Sequence, residues 1–176
     1  MIEIKNKGVN DWEYWESRRT MQYYKVVNKL LQENSPGEML IDVGCHNTPI
    51  VLWGDFKRRV TIDLEPRPHI DGVEAIVGDW MQVQLPIATV TLCLQTLEHL
   101  TDDVIYEFAT KVRQSADIII VSVPFMWPAG MCHWHKQDPI DAAKLDRIMG
   151  DKSLSSEIVK DSGLNRLVCV YPSLKE

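Results

Sequence analysis

Apolar positions recur along the chain first at helical and then at strand spacing. Over 11–34, Trp12, Trp15, Tyr23, Val26, Val27, Leu30 and Leu31 share one helical face, and Asp11 is placed to cap it. Ser35-Pro36-Gly37 stops that helix. Short apolar runs then predict strands over 39–43, 60–64, 73–77 and 90–94, with a short helix over 49–56. Thr101, followed by Asp102 and Asp103, marks the start of a helix reaching about Ser115. The run Ile118-Ile119-Ile120-Val121 has no polar face, as expected of a strand covered on both sides of a parallel sheet. After Pro124 comes an irregular stretch over 125–138, rich in Trp, His and Met. Helical spacing returns over 139–149 and 153–161, Gly163 is a helix stop, and 167–171 reads as a last strand.

Strands alternating with helices predict an α/β fold: a doubly wound, Rossmann-like, mostly parallel sheet with helices on both faces. Only one strand is legible after the fifth, so the sheet is expected to be shortened at its C-terminal edge. An exposed edge of that kind invites a second copy, which predicts a homodimer. The 176 residues suit one domain with one core.

The net charge of −6 disfavours broad binding to nucleic-acid backbones or anionic membranes. Cys45, Cys93, Cys132 and Cys169 are widely spaced, as in a reduced cytoplasmic protein. Residues 1–10 lack the apolar core of a signal peptide, and no apolar run is long enough to span a bilayer.

In doubly wound sheets ligands bind beyond the carboxyl ends of the strands. Four predicted strand ends carry polar residues in order. They are Asp42-Val43-Gly44-Cys45-His46-Asn47-Thr48-Pro49, then Asp63-Leu64-Glu65, then Gly78-Asp79-Trp80, then Gln95-Thr96-Leu97-Glu98-His99-Leu100. Gly44 permits a tight turn, and Thr48-Pro49 reads as a cap followed by a first helical residue. Asp63 follows Gly44 by 19 residues, where an acid can accept from both hydroxyls of a ribose.

A pyrophosphate needs several glycines, so that backbone N–H groups can close around it. This turn has one glycine, and Pro49 lacks an N–H donor. The pattern suits an adenosyl ligand without phosphate better than a dinucleotide.

Taken together, these residues resemble the class I S-adenosylmethionine-dependent methyltransferases over about 39–124. The likeness is closest to the small-molecule branch, with Leu97-Glu98-His99-Leu100 as its signature. The resemblance implies S-adenosyl-L-methionine as cofactor. Asp42, Gly44, Cys45 and His46 would line its methionine and ribose side, Asp63 would hold the ribose diol, and Leu64 would pack on adenine. Asp79 would accept from the adenine amine beside Trp80, Gln95 would lie near the methionyl end, and His99 near the methyl donor. It also implies an organisation of 1–37 as a covering helix, 38–124 as the cofactor core, 125–138 as the acceptor loop and 139–176 as C-terminal helices and last strand. The chain departs from the pattern where His46 and Thr48 or Pro49 replace glycines, and where Thr89 replaces an early acid in the fourth strand.

Loops as long as 125–138 often carry function. A base with a pKa near neutrality assists an oxygen or nitrogen acceptor, which makes His133, His135 and His99 the candidate bases, against a packing or surface role for each. Cys132, His133 and His135 lie too close for the usual zinc spacing and have no second pair, so no metal is expected. Cys45 reads as a packing residue rather than a nucleophile. Trp12, Trp15, Tyr23 and Tyr24 are either packing residues or acceptor contacts. The expected partner is a small-molecule acceptor, with neither membrane nor nucleic acid. The alternatives are a non-catalytic cofactor-binding partner domain, or a methyltransferase acting on RNA or protein through a groove around Arg18, Arg19, Lys25, Lys57, Arg58 and Arg59.

Overall fold

The computed structural model describes residues 12–161 and 163–174. The expected cap Asp11 and the stretch 1–10 lie outside the described residues. Seven strands form one sheet: β1 (Gly37–Val43), β2 (Phe56–Asp63), β3 (Glu74–Val77), β4 (Ala88–Leu94), β5 (Ala116–Pro124), β6 (Ser155–Val159) and β7 (Arg166–Pro172). Their order is β3-β2-β1-β4-β5-β7-β6. β1 to β5 are parallel, and β7 runs antiparallel to both β5 and β6. The helices are α1 (Glu13–Glu16), α2 (Gln22–Glu33), α3 (Ile105–Gln114) and α4 (Ala142–Met149).

Both faces of the central strands are apolar because both are covered. Ile41, Val43, Ile62, Cys93, Ile119 and Val121 pack with Phe108 and Val112 of α3 and Leu145 and Ile148 of α4. Leu40, Val90, Leu92 and Ile120 face the other way, against Tyr24, Val27 and Leu31 of α2. At about 25 cal/mol per Å² of apolar surface removed from water, these two layers dominate the stability of the fold.

Several expectations are corrected. The stretch 153–161 is not helical but forms β6. Most of Ser155–Val159 is exposed and only Val159 is buried, so this edge strand lacks the alternation that marks a half-buried one. With β6 paired to β7, the C-terminal edge is complete rather than shortened, and the argument for a second copy covering a missing strand falls away.

The single helix over 11–34 is two helices. Met21 adopts an extended conformation (ψ 137°) and separates α1 from α2. The expected helix over 49–56 is one 3₁₀ turn, Ile50–Leu52, and Phe56 already belongs to β2. Thr48 does not cap that turn but donates its hydroxyl to the carbonyl of Cys45 (2.9 Å). The expected helix over 139–149 starts at Ala142 and is capped by Asp141, which accepts from the Lys144 N–H at 2.7 Å. α3 starts at Ile105, later than Thr101 suggested, and no side chain caps it. Among the described residues no helix is long and apolar enough to cross a membrane.

Candidate functional site

Because β1 leads outward to β2 and β3, and β4 returns on the other side of β1, the winding reverses between β1 and β4. A crevice at the carboxyl ends follows from that reversal. Gly44 closes β1 with φ +70°, and a Cβ there would lie 2.4 Å from Thr96 Oγ1. Glycine is therefore demanded twice, by the backbone conformation and by the approach of the turn after β4. The three described non-glycine residues with positive φ are His46 (44°), Gln95 (53°) and Met126 (54°). They follow β1, β4 and β5, so strain is concentrated on one edge of the sheet, as expected at ligand sites.

That edge holds a cavity of about 570 Å³. All nine residues assigned to the cofactor by resemblance line it: Asp42, Gly44, Cys45, His46, Asp63, Leu64, Asp79, Trp80 and Gln95. His99 lines it too, whereas His133 and His135 do not. Tyr14 was not legible as a wall residue, and its ring stacks on His46 at 4.0 Å. Tyr23 and Tyr24 line the cavity from α2. Trp15 packs edge-on against Tyr24 and Trp53.

Asp42 lies on the α2 side of β1 and is 1% exposed. Neither of its carboxylate oxygens has a hydrogen-bond partner. Burial, followed by repulsion from Asp63, pushes its carboxyl up to about 7, with Arg67 pulling the other way.

Asp63 is well supplied with donors. Its Oδ2 accepts from the His46 N–H (2.9 Å), and its Oδ1 accepts from the Glu65 N–H (3.3 Å) and pairs with Arg67. Arg67 also donates to Asn47 Oδ1 at 3.1 Å. Nothing in the sequence spacing singled out Arg67, because its partners belong to two separate turns. Asp79 accepts from the Met81 N–H (2.9 Å), which fixes the turn that carries Trp80, and Lys111 Nζ sits 5.0 Å from the Trp80 ring.

Gln95 bridges strands. Its Nε2 donates to Ser122 Oγ (3.1 Å), and its Oε1 accepts from Arg166 Nε (3.2 Å). Arg166, also unforeseen, lies over the rings of Tyr23 and Trp127.

The loop over 125–138 is pinned rather than free. Phe125 N–H and Trp127 Nε1 both donate to the Asn165 carbonyl, and Met126 N–H donates to the Ile140 carbonyl. At its other end, Lys136 and Gln137 N–H donate to the Glu98 carbonyl (2.7 and 3.2 Å). This docking carries His135 to His99, with ring centroids 5.0 Å apart. His133 instead stays exposed beside Trp134.

Glu98 is 1% exposed, with Oε2 unpartnered. Burial pushes its carboxyl up to about 8, and a backbone hydrogen bond opposes the shift. Burial lowers the pKa of His99. All four cysteines are unpaired, and burial raises the Cys45 thiol far above its usual range, which removes it as a nucleophile at neutral pH.

No family model matches the sequence, and no curated protein matches it. Solved structures do match. The N-methyltransferase NodS from Bradyrhizobium japonicum WM9, in complex with S-adenosyl-L-homocysteine, superposes with a TM-score of 0.70 at 12% identity, over 94% of this chain and 89% of that one. The 1,6-didemethyltoxoflavin-N1-methyltransferase of Burkholderia thailandensis gives 0.71 at 15% identity, over 93% and 83%. The chain has the fold of these methyltransferases. The small RNA methyltransferase HEN1 gives 0.69 at 17% identity, over 88% of this chain and 25% of that one. The superpositions show a shared fold, and identities this low leave the chemistry to be argued from the cavity.

Proposed function

We propose that this chain binds S-adenosyl-L-methionine and transfers its methyl group to an oxygen or nitrogen of a small-molecule acceptor. The observation that carries the reading is Asp42: a buried carboxylate with two unpartnered oxygens, at the winding reversal, in the wall of a cavity of about 570 Å³. An unpaired buried anion is costly, and a cationic ligand relieves that cost. A cofactor bearing a sulfonium, an ammonium and an adenosine fits this wall, and cavities of this size suit such ligands.

In this reading Asp63 holds the ribose, Leu64 packs on the adenine, and Asp79 accepts from its amine with Trp80 beside the ring. The bound cofactor supplies an electrophilic methyl carbon. The chain's own part is to orient the acceptor, exclude water and accept a proton. Of the three candidate bases, His99 is the one on the cavity wall, with His135 packed behind it. The acidic net charge favours a small acceptor over RNA. A catalytically silent binding domain is the competing reading, favoured by the Arg67 guanidinium on Asp63.

Calorimetric titration with S-adenosylmethionine and S-adenosylhomocysteine tests the first step. Micromolar binding that collapses in Asp63→Ala is expected. Affinity weaker than about millimolar in the unaltered protein overturns the proposal. Tight binding with no turnover across a panel of metabolites selects the silent domain.

A further inference from the structure

We propose that Glu98, His99 and His135 form a binding site for a divalent first-row transition-metal ion in the wall of the cavity. A carboxylate oxygen and one ring nitrogen from each histidine lie within 4.8 Å of one another, which among the described residues makes these three a group able to share an ion. Cys132 and His133, whose spacing argued against zinc in the sequence, are not in the group.

Three further observations point to an ion rather than to chance proximity. First, both imidazoles are held through Nδ1. His135 Nδ1 donates to Asp138 Oδ2 at 2.7 Å, and His99 Nδ1 donates to the Trp134 carbonyl at 3.3 Å, an oxygen that can only accept. Each ring therefore presents Nε2 as a lone pair. A carboxylate behind a histidine is the usual support of a metal-bound imidazole. Second, that support is itself buried: the side chains of His135 and Asp138 are 8% and 2% exposed. Third, Glu98 is buried with Oε2 unpartnered, so a carboxylate oxygen lacks the cation or donor that burial demands.

The donor set selects the ion. Two imidazole nitrogens disfavour magnesium and calcium, which prefer oxygen shells, and the absence of thiolate from the group disfavours soft ions. Two histidines and one carboxylate suit iron(II), manganese(II), cobalt(II) or zinc(II), with coordination positions left for water or a ligand. Ligands about 2.1 Å from an ion stand roughly 3–3.5 Å apart, so the group needs to close by at most roughly 1.3–1.8 Å.

His99 belongs both to this group and to the cavity wall, so a bound ion would lie beside the cavity and would occupy the lone pair that makes His99 a candidate base in the metal-free protein. Metal binding stands on these side chains alone, and only its effect on that base rests on the methyl-transfer reading.

The test uses the full chain, stripped with chelator and titrated with cobalt(II), manganese(II), zinc(II) and magnesium(II). One cobalt per chain with visible d–d absorption is expected, with magnesium binding far more weakly. His99→Ala, His135→Ala and Glu98→Gln should each weaken cobalt binding by at least about tenfold, Asp138→Asn by about 10- to 100-fold, and Cys132→Ser not at all. Circular dichroism and thermal midpoints of the stripped variants separate lost ligands from lost folding, and the partly exposed His99→Ala serves if the buried variants fail to fold. No binding to about millimolar, or binding that persists in both histidine variants, overturns the site. Cofactor titration of the stripped protein is a separate readout, so either proposal can fail without the other.

Discussion

The guanidinium of Arg67 rests on the carboxylate of Asp63, with both side chains nearly covered (11% and 13% exposed). Asp63 also accepts two backbone N–H groups, from His46 and Glu65. A carboxylate offers about four acceptor sites, so a ribose diol finds at most one of them open while Arg67 remains in place. Under the proposed function, Arg67 thus competes with the cofactor for Asp63.

Arg67→Ala should therefore tighten S-adenosylhomocysteine binding by about tenfold, equivalent to about 1.4 kcal/mol. It should also destabilise the ligand-free protein by about 2 kcal/mol, because a nearly buried pair is broken. Calorimetry and chemical denaturation measure the two effects. Weaker binding would show instead that Arg67 orients Asp63 for the ligand.

Asp42 sets a pH dependence. The groups around it are Asp63, which raises its pKa, Arg67, which lowers it, and the neutral thiols of Cys45 and Cys93. Its folded value of about 7 lies above the ordinary 3.8. The unfolded chain therefore releases this proton first as pH rises, and stability falls between about pH 4 and 7. Asp42→Asn should remove that decline, raising the thermal midpoint at pH 8 relative to pH 5. The gain is bounded at about 4 kcal/mol. A cationic ligand needs the ionised form, so S-adenosylmethionine affinity should fall by up to tenfold per unit as pH drops below 7. A flat affinity profile would remove Asp42 as the ligand's counter-charge.

Gly44→Ala faces two obstacles, a left-handed φ and Thr96 Oγ1 at 2.4 Å from the new Cβ. The expected loss is about 3 kcal/mol. Adding Thr96→Ala should restore about half, because it relieves the collision and leaves the backbone strain. Denaturant midpoints of the single and double variants distinguish the contributions.

Asp161 caps a helix 139 residues away. It accepts from the N–H groups of Gln22 (2.6 Å) and Tyr23 (3.2 Å), where α2 starts without a cap of its own. Asp161→Ala should cost about 1–2 kcal/mol. It should also loosen Tyr23 and Tyr24, raising amide exchange at the start of α2 well above that of α3. Unchanged exchange there would make the cap incidental.

Local spacing determined a good deal of this protein. The apolar runs at β1, β4, β5 and β7 were legible because strands covered on both faces must be apolar throughout. The polar residues after them were legible because a doubly wound sheet assembles its cavity from strand ends, each written in a few consecutive letters. Asp42, Gly44, Asp63, Asp79 and Gln95 were found in that way, and they share one cavity.

What the sequence left open depends on partners distant along the chain. β6 is an exposed edge strand made by pairing with β7, so its own letters favoured a helix. The break between α1 and α2, which sets Tyr14 over His46, is held by an acid 139 residues away. Arg67 joined the cavity wall, and Arg166 came to hold the Gln95 side chain, through contacts with other turns. His135 joined His99 and Glu98, and His133 did not, because the Glu98 carbonyl anchors the loop at Lys136 and Gln137. Burial inside an element is written in local periodicity, whereas a contact between two turns exists only once the whole sheet has brought them together.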